Sequence, residues 1–444
     1  MKYQLNYITL IIGLFALNSF GQNNKLTDNE LLDSVQYKTF QYFWAGAEAT
    51  SGLARERYHA DNIYPQNDKD IVTSGGGGFG VMAIVAGIDR GFITRDEGVK
   101  RLEKIVTFLE KADTFHGVFP HWWHGPTGKV QPFSKNDNGG DLVETSFMAS
   151  GLIAAREYLK NGSIAERRLA ERMNKLWENI EFDWYTNGQN VLYWHWSPDK
   201  AWAMNFPVHG YNECLIMYVL AASSPTHSVS KEVFTEGWAE NGAIVKPHRA
   251  FGGIKLNANH QGDAVNGGPL FWAHYSFLGL SPEKLKGPFI NYDKETRNQA
   301  LINYKWCFKN PNGFKGYGKD SWGLTSSYSI NGYSGHAPQK ERDIGVISPT
   351  AAVSSLPYTP KQSMRAIRHW YEDKPELLGE FGFYDAFSES AEWMLPRYLA
   401  IDQGPEVVMI ENYRSGLLWN LFMNAPEIQK GLKELGFKSP YIKY

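Results

Sequence analysis

The sequence predicts an all-α fold, an (α/α)6 toroid with long loops over one rim. Three observations carry that prediction. About a dozen helical stretches succeed one another and alternate between nearly all-apolar and amphipathic composition. Clean period-2 strand patterns are scarce. Three of the apolar stretches each begin with a carboxylate, Asp141, Glu213 and Asp402, after a Gly-rich or aromatic loop. Inner helices of a toroid are surrounded by protein and read as apolar all round, whereas outer helices show one polar face. A generic two-layer helical domain is the alternative, and the spacing is too irregular for a short solenoid repeat.

In chain order, Lys2, the apolar run Ile8 to Leu17 and the small-residue site Ser19-Phe20-Gly21 predict a signal peptide over residues 1–21. No Cys follows for a lipoprotein anchor, and the run is too short for a transmembrane helix. The chain is therefore expected to be periplasmic or secreted, with residues 22–444 as a single domain. Asp28 to Trp44 is expected as an amphipathic helix capped by Asp28. Residues 46–74 read as a polar loop. Gly75 to Gly91 reads as an apolar helix, and Thr94-Arg95-Asp96-Glu97 as a capping-type start of the next. A loop at 113–140 precedes the Asp141 helix. Ser163 to Ile180 is amphipathic, and 182–207 is aromatic and turn-rich. The Glu213 helix, a short helix near 229–238 and a Gly/Asn-rich loop at 240–268 follow. Gly268 to Leu278 reads as helix, as do Tyr292 to Phe308, Ser348 to Ser355 and Pro360 to Glu372. Residues 310–346 are loop and 377–398 mixed. The Asp402 helix and Ala425 to Leu435 complete the chain.

With 444 residues, 43% of them hydrophobic, the chain supports a large core. A net charge of -2 gives no electrostatic footprint for nucleic acid or an anionic membrane. Cys214 and Cys307 are the two cysteines, and Cys214 lies within an apolar helix, which favours a buried free thiol. Aromatic residues reach 14%, with 15 Trp, a composition that suits core packing and also sugar-stacking clefts.

The three helix-opening acids are the main chemical signal. An N-cap role is the simple reading of Asp141 and Asp402. Parallel inner helices, however, put their starts on one rim, and two carboxylates across a cleft are what glycoside hydrolysis requires. Glu213 is the better general acid, because apolar neighbours raise its pKa while the helix N-terminus opposes the shift. Asp402, in a polar turn, is the better base. Glu144 shares a helix face with Asp141, and the pair is expected to bind sugar hydroxyls, to be itself catalytic, or to cap the helix. Tyr211 beside Glu213, and the loop residues His121, Trp122, Trp123, Trp194 and Trp322, are candidate substrate-binding groups, since large loop aromatics suggest ligand stacking.

No metal is expected. His121 and His124 lack a zinc-type motif, and Asp137, Asn138 and Asp141 do not match calcium-loop spacing. Gly75, Gly77 and Gly80 spell G-x-G-x-x-G, but two helices follow instead of a strand and an acid, so close helix packing explains it better than a dinucleotide. No Walker motif or Gly-x-Ser-x-Gly occurs.

The segments YNECLIMYVLAASSPTH, GGPLFWAHYSFLGL, SPTAAVSSLPYTPKQSMRAIRHWYE, GEFGFYDAF and YLAIDQGPEVVMIENYRSGLLWNLF together resemble the glucoamylase-like domain family. The resemblance spans about Asp28 to Phe437, and its best-understood branch is glycoside hydrolase family 144, which hydrolyses β-1,2-glucans. It implies one (α/α)6 barrel, export, no cofactor and an inverting mechanism. It also implies Glu213 of Tyr-Asn-Glu as acid, and Asp402 of Ile-Asp-Gln-Gly-Pro as base, directly or through a relay. Asp141 and Glu144 then line the donor side. The implied partner is an oligo- or polysaccharide, with no nucleic acid and no membrane anchor, and the chain is expected to be a monomer. A polysaccharide lyase and a non-catalytic glycan-binding protein are the rival classes. The acids argue against the first, and turnover would exclude the second.

Overall fold

In the computed structural model, residues 25–442 are described, and the expected signal peptide lies outside them. Helix starts follow local chemistry. α1 (Asp28–Trp44), α3 (Arg95–Leu109) and α5 (Ile164–Glu178) each open on a reciprocal capping box, made by Thr27 with Glu30, Thr94 with Glu97 and Ser163 with Glu166. Thr27 therefore caps α1 in place of Asp28, which sits just inside, where its charge still favours the helix N-terminus.

The apolar stretches form α2 (Gly75–Asp89), α4 (Leu142–Leu159) and α6 (Leu215–Ser223). Every residue of α2 from Gly75 to Ile88 is buried, as is every residue of α6. Two glycines set the α2–α4 crossing. A Cβ on Gly78 would lie 2.4 Å from the Met148 Cα, and one on Gly151 would lie 2.3 Å from the Gly78 carbonyl oxygen. The two backbones touch, and any side chain there would force them apart.

The remaining helices are α7 (Tyr292–Lys309), α8 (Pro349–Val353), α9 (Pro360–Asp373), α10 (Ala400–Arg414), α11 (Leu417–Met423) and α12 (Pro426–Glu434). Three stretches expected as helix come out differently. Residues 268–278 form two 3-10 turns, Leu270–Ala273 and Tyr275–Phe277, instead of a helix. The short helix near 229–238 is a π-helix, Val233–Trp238. The apolar run after Asp402 breaks at Gly416, whose φ of 70° lies in the left-handed region and starts α11 in a new direction.

α2 packs on both α4 and α10, α4 on α6, α6 on the Tyr275–Phe277 turn, and α10 on α8. His274 Nε2 and Ser355 Oγ, 3.0 Å apart, join that turn to the end of α8. Outside them, α1 lies on α2 and α10, α3 on α2, α5 on α4, the π-helix on α6, α7 on the Leu270–Ala273 turn and α9 on α8. Among the described residues the strands are two to five residues long. Two pairings matter for the site. Arg57–His59 runs antiparallel to Arg397–Leu399, and Gly140–Asp141 antiparallel to His195–Trp196. One hydrophobic cluster takes in most of the core, and Cys214 and Cys307 are buried and free. Among the described residues no helix is long and apolar enough to cross a membrane.

Candidate active site

A cavity of about 310 Å³ opens where the starts of α4 and α10 and the residue Thr73, just before α2, meet the turn before α6. Glu144, Glu213 and Glu56 line it, with His121, Trp122 and Trp194.

Glu213 lies two residues before the first residue of α6, in a turn held on all sides. Asn212 Oδ1 accepts the Cys214 N–H at 2.8 Å, and Asn212 Nδ2 donates to Gln261 at 3.1 Å. Ser276 donates its hydroxyl to the Glu213 carbonyl and accepts the Ile216 N–H. The main chain is fixed, so the carboxyl is aimed. It is 7% exposed, and Oε2 finds no hydrogen-bond partner among the described residues. Burial pushes this carboxyl up to about 7, and the charge of Asp141 adds to the effect. Hydrogen bonds from its own backbone and from Cys214 pull the other way and do not prevail.

Asp141 is the N-cap of α4, accepting the Glu144 N–H at 2.9 Å, so its capping role is present. Its other oxygen accepts the Trp194 indole N–H at 2.9 Å and lies 3.0 Å from His121 Nδ1. Asp137 meets the same His121 nitrogen at 3.1 Å. Burial works against a charge on His121, but Glu144, Asp137 and Asp141 outweigh it and hold the imidazole well above 6.5. Burial raises the Glu144 carboxyl, against the pull of His121. Glu144 Oε2 accepts the Gly75 N–H at 2.9 Å, so a protein carboxylate occupies the α2 N-terminus where the glycine motif would have cradled a phosphate. The potential ligand atoms of His121, Asp137 and Asp141 lie within 4.8 Å of one another. One ring N–H facing two carboxylates at hydrogen-bond length makes this a charged hydrogen-bond cluster.

Asp402 is the third residue of α10, 1% exposed, and does not itself line the cavity. Tyr275 does, and its hydroxyl donates to Asp402 Oδ1 at 3.4 Å. Burial, then the neighbouring Asp385, drive the Asp402 carboxyl well above its usual value, the opposite of the open turn expected of it.

The aromatic candidates divide. Trp122 and Trp194 are half-buried on the cavity wall, and Phe133 stacks on His121 with ring centroids 4.2 Å apart. Trp123 and Trp322, expected as exposed loop aromatics, are fully buried. Trp123 packs edge-on against Phe108 and Phe119 and donates to the Asp113 carbonyl. Trp322 packs edge-on against Tyr304. Tyr211 is also buried, between His260 and Tyr292, and does not line the cavity. A Gly/Pro-rich loop gives no periodicity from which to read burial, which is why Trp123 and Trp322 were expected to face ligand, whereas Tyr211 was a candidate for its place beside Glu213.

Several cavity residues lie in stretches read only as loop or helix. Glu56 and Arg57 pair with each other, Arg57 also reaches Asp68 at 3.1 Å, and its guanidinium lies 5.7 Å from the Trp122 ring centre. Tyr328 and the 55%-exposed Tyr333 complete the wall. Glu56 and Arg57 come to the site because Arg57 pairs with Leu399 and the Glu56 carbonyl accepts the Ala400 N–H at 3.0 Å. No local pattern announces that pairing.

Over residues 205–426 the chain matches the Glycoamylase family, described as "Putative glucoamylase". It is 46% identical over 426 residues to an exo β-1,2-glucooligosaccharide sophorohydrolase (non-reducing end) of Parabacteroides distasonis. That alignment takes in 92% of this chain, which spans 58% of the relative's length. An endo-β-1,2-glucanase from Chitinophaga pinensis, solved with sophorotriose and glucose, is 59% identical with a TM-score of 0.93, covering 94% of this chain and all of that one. An endo-β-1,2-glucanase from Talaromyces funiculosus is 10% identical with a TM-score of 0.68 over 94% of each chain, a likeness of fold alone. On these matches, the chain belongs to the glucoamylase-like family.

Proposed function

We propose that this protein is a glycoside hydrolase that cleaves β-1,2-glucan to sophorose or short sophoro-oligosaccharides by an inverting acid/base mechanism. The observation that carries the reading is Glu213. It is a buried carboxyl on the cavity wall, pushed up to about 7, with one oxygen unpartnered. A carboxyl that keeps its proton near neutrality can give it to a leaving glycosidic oxygen. Relatives at 46% and 59% identity that act on β-1,2-linked glucose supply the substrate class.

In this reading Glu213 protonates the glycosidic oxygen as the bond to the anomeric carbon breaks. Water attacks that carbon from the opposite face, and its proton passes through the Tyr275 hydroxyl to Asp402. The positions of Tyr275 on the wall and Asp402 behind it support the relay over direct contact. Glu144 accepts sugar hydroxyls, Asp141 orients His121 and Trp194, and Trp122 and Trp194 pack on pyranose faces. The cycle of contacts from α2 through α4, α6, the Tyr275–Phe277 turn, α8 and α10, closed between the turn and α8 by the His274–Ser355 hydrogen bond, supports a single (α/α)6 toroid for residues 22–444. The apolar run Ile8 to Leu17 supports export.

Product analysis on a panel of linear glucans tests the proposal, with anomeric NMR during the first turnovers. Release of sophoro-oligosaccharides from β-1,2-glucan with inverted configuration is expected. Turnover of another linkage in preference to β-1,2, or retention of configuration, would overturn it.

A further inference from the structure

Asp402 has a buried partner that the scheme above leaves unused. Asp385 is 2% exposed and lies on a segment joined to the strand before α10, its N–H donating to the Arg397 carbonyl at 2.9 Å. Its Oδ2 accepts the Tyr328 N–H at 2.7 Å. Its Oδ1 receives no N–H or O–H from any described residue, and neither does Oδ2 of Asp402. Each carboxyl is the other's side-chain partner, and the contact becomes a hydrogen bond only when one of the two carries a proton. A hydrogen bond between two carboxyls needs a proton, and two buried carboxylates in contact cannot both ionise.

The other charged and titratable groups around the pair offer little compensation. Glu406 lies one turn further along α10 and takes a hydrogen bond from Thr39 of α1 at 3.2 Å. Glu56 approaches from the chain before the Arg57–His59 strand, and the Arg57 charge beside it is already taken up by Glu56 and Asp68. Tyr275 donates to Asp402 at 3.4 Å, and Tyr333 faces both acids from the 326–335 loops. The nearest cation on the flanking strand, Arg397, is turned over the Tyr328 ring at 5.8 Å. The surroundings are thus carboxylic and phenolic, and one proton between the two acids is the neutralising charge available.

We propose that Asp385 and Asp402 share a single proton and act as one unit, with Asp385 the positioning residue that holds the base. The inference rests on the reading of Asp402 as base. Asp385 already accepts a short backbone N–H, whereas Asp402 has only the long Tyr275 contact, so at rest the shared proton sits on Asp402 Oδ2 and is donated to Asp385 Oδ1. When the proton of the attacking water arrives at Asp402 Oδ1, the proton on Oδ2 moves across to Asp385. One proton enters the pair, one carboxylate is neutralised, and the bond from water oxygen to the anomeric carbon forms as the glycosidic bond breaks. Asp402 thereby works as a base although it is protonated at the start.

The test counts protons as well as turnover. In wild type the folded pair holds one proton near neutrality, and the unfolded chain holds none. Asp385→Asn leaves a single carboxyl, and its amide N–H, donated to Asp402 in place of the shared proton, favours the ionised form against burial, so this variant is expected to hold none in either state. Above about pH 5 the unfolding equilibrium constant of wild type should therefore rise about tenfold per pH unit relative to D385N. Asp402→Asn should show the same difference, which keeps the count available if D385N does not fold. In kinetics, D385N should lower kcat about tenfold, whereas Asp385→Ala, which strips Asp402 Oδ2 of its partner, should lower it a hundredfold or more, both with KM unchanged. Equal pH slopes for wild type, D385N and D402N would show that no proton is shared. Full kcat in D385A would remove the positioning role. If the proton count holds but D402N still turns over substrate, the pair stands and the base assignment fails.

Discussion

Replacing Glu213 by Gln tests the central assignment through two independent readouts. The first is rate. A positioned general acid contributes about 10²–10⁴-fold, or about 3–5 kcal/mol of barrier. E213Q should lose that factor in kcat on β-1,2-glucan with KM nearly unchanged, because the amide fills the same space in a turn fixed by Asn212 and Ser276. Wild-type activity should fall as pH rises through about 7, where Glu213 gives up its proton. The residual activity of E213Q should not show that limb. A substrate with an acidic phenol as leaving group, which needs little protonation, should recover most of the loss.

The second readout is stability. The Glu213 carboxyl is raised from 4.5 to about 7 on folding. Its contribution is therefore fully present below 4.5 and is lost as pH rises towards 7. Above that, the folded state carries a buried anion at a cost of about 3 kcal/mol. Gln has no such cost. E213Q should match wild type at pH 4.5 and exceed it by about 3 kcal/mol at pH 8, which for a chain of this length raises Tm by about 3–4 °C. Thermal melts at the two pH values, beside kcat and KM on purified linear glucan, check both expectations. Retention of more than a tenth of wild-type kcat would refute the acid assignment. A stability difference indifferent to pH would refute the buried-carboxyl argument behind it.

Other substitutions probe the rest of the site and its frame. Tyr275→Phe, which removes the link to Asp402, should lower kcat by roughly 10–100-fold with little change in KM, as read from initial rates. Trp122→Ala should raise KM about tenfold and leave the melting curve almost in place, whereas Trp322→Ala should cost about 3–5 kcal/mol in denaturant unfolding and leave KM alone. Gly78→Ala should cost about 3 kcal/mol by the same measure, since its methyl group would meet the Met148 backbone. His121→Gln should destabilise by about 3 kcal/mol at pH 6. Because the His121 pKa is raised, that loss should shrink only as pH climbs through the folded value, well above 6.5.

Periodicity and capping chemistry are local, and the chain reports them faithfully. The all-apolar reading of Gly75 to Ile88 and Leu215 to Ser223 corresponds to helices buried on every side, and the Thr94 start carries the capping box its spacing suggests. Glu213, Glu144, His121, Trp122 and Trp194 were each legible as site candidates, because a carboxylate or a large aromatic beside an apolar helix start needs a reason to be there. The same logic did not locate Tyr275. It lies in a stretch whose composition suits a helix, and the closing contacts of α6 and α7 bend it into two short turns.

By itself, then, the sequence determined a helical frame of apolar and amphipathic members, and a set of helix-opening acids. Tertiary structure alone decided which of those groups share a cavity. Pairing of Arg57 with Leu399 brings Glu56 to the wall, and the return of the chain through Asp385 sets a second carboxyl against Asp402. It also decided that Trp123, Trp322 and Tyr211 face inward. The physical reason is that a hydrogen-bond register or a buried acid pair is a relation between distant segments. Neither segment carries a trace of it until the helices close and water is excluded. The pKa of Glu213 belongs to that second class as well, since burial beside Asp141 outweighs the local pull of its backbone and Cys214.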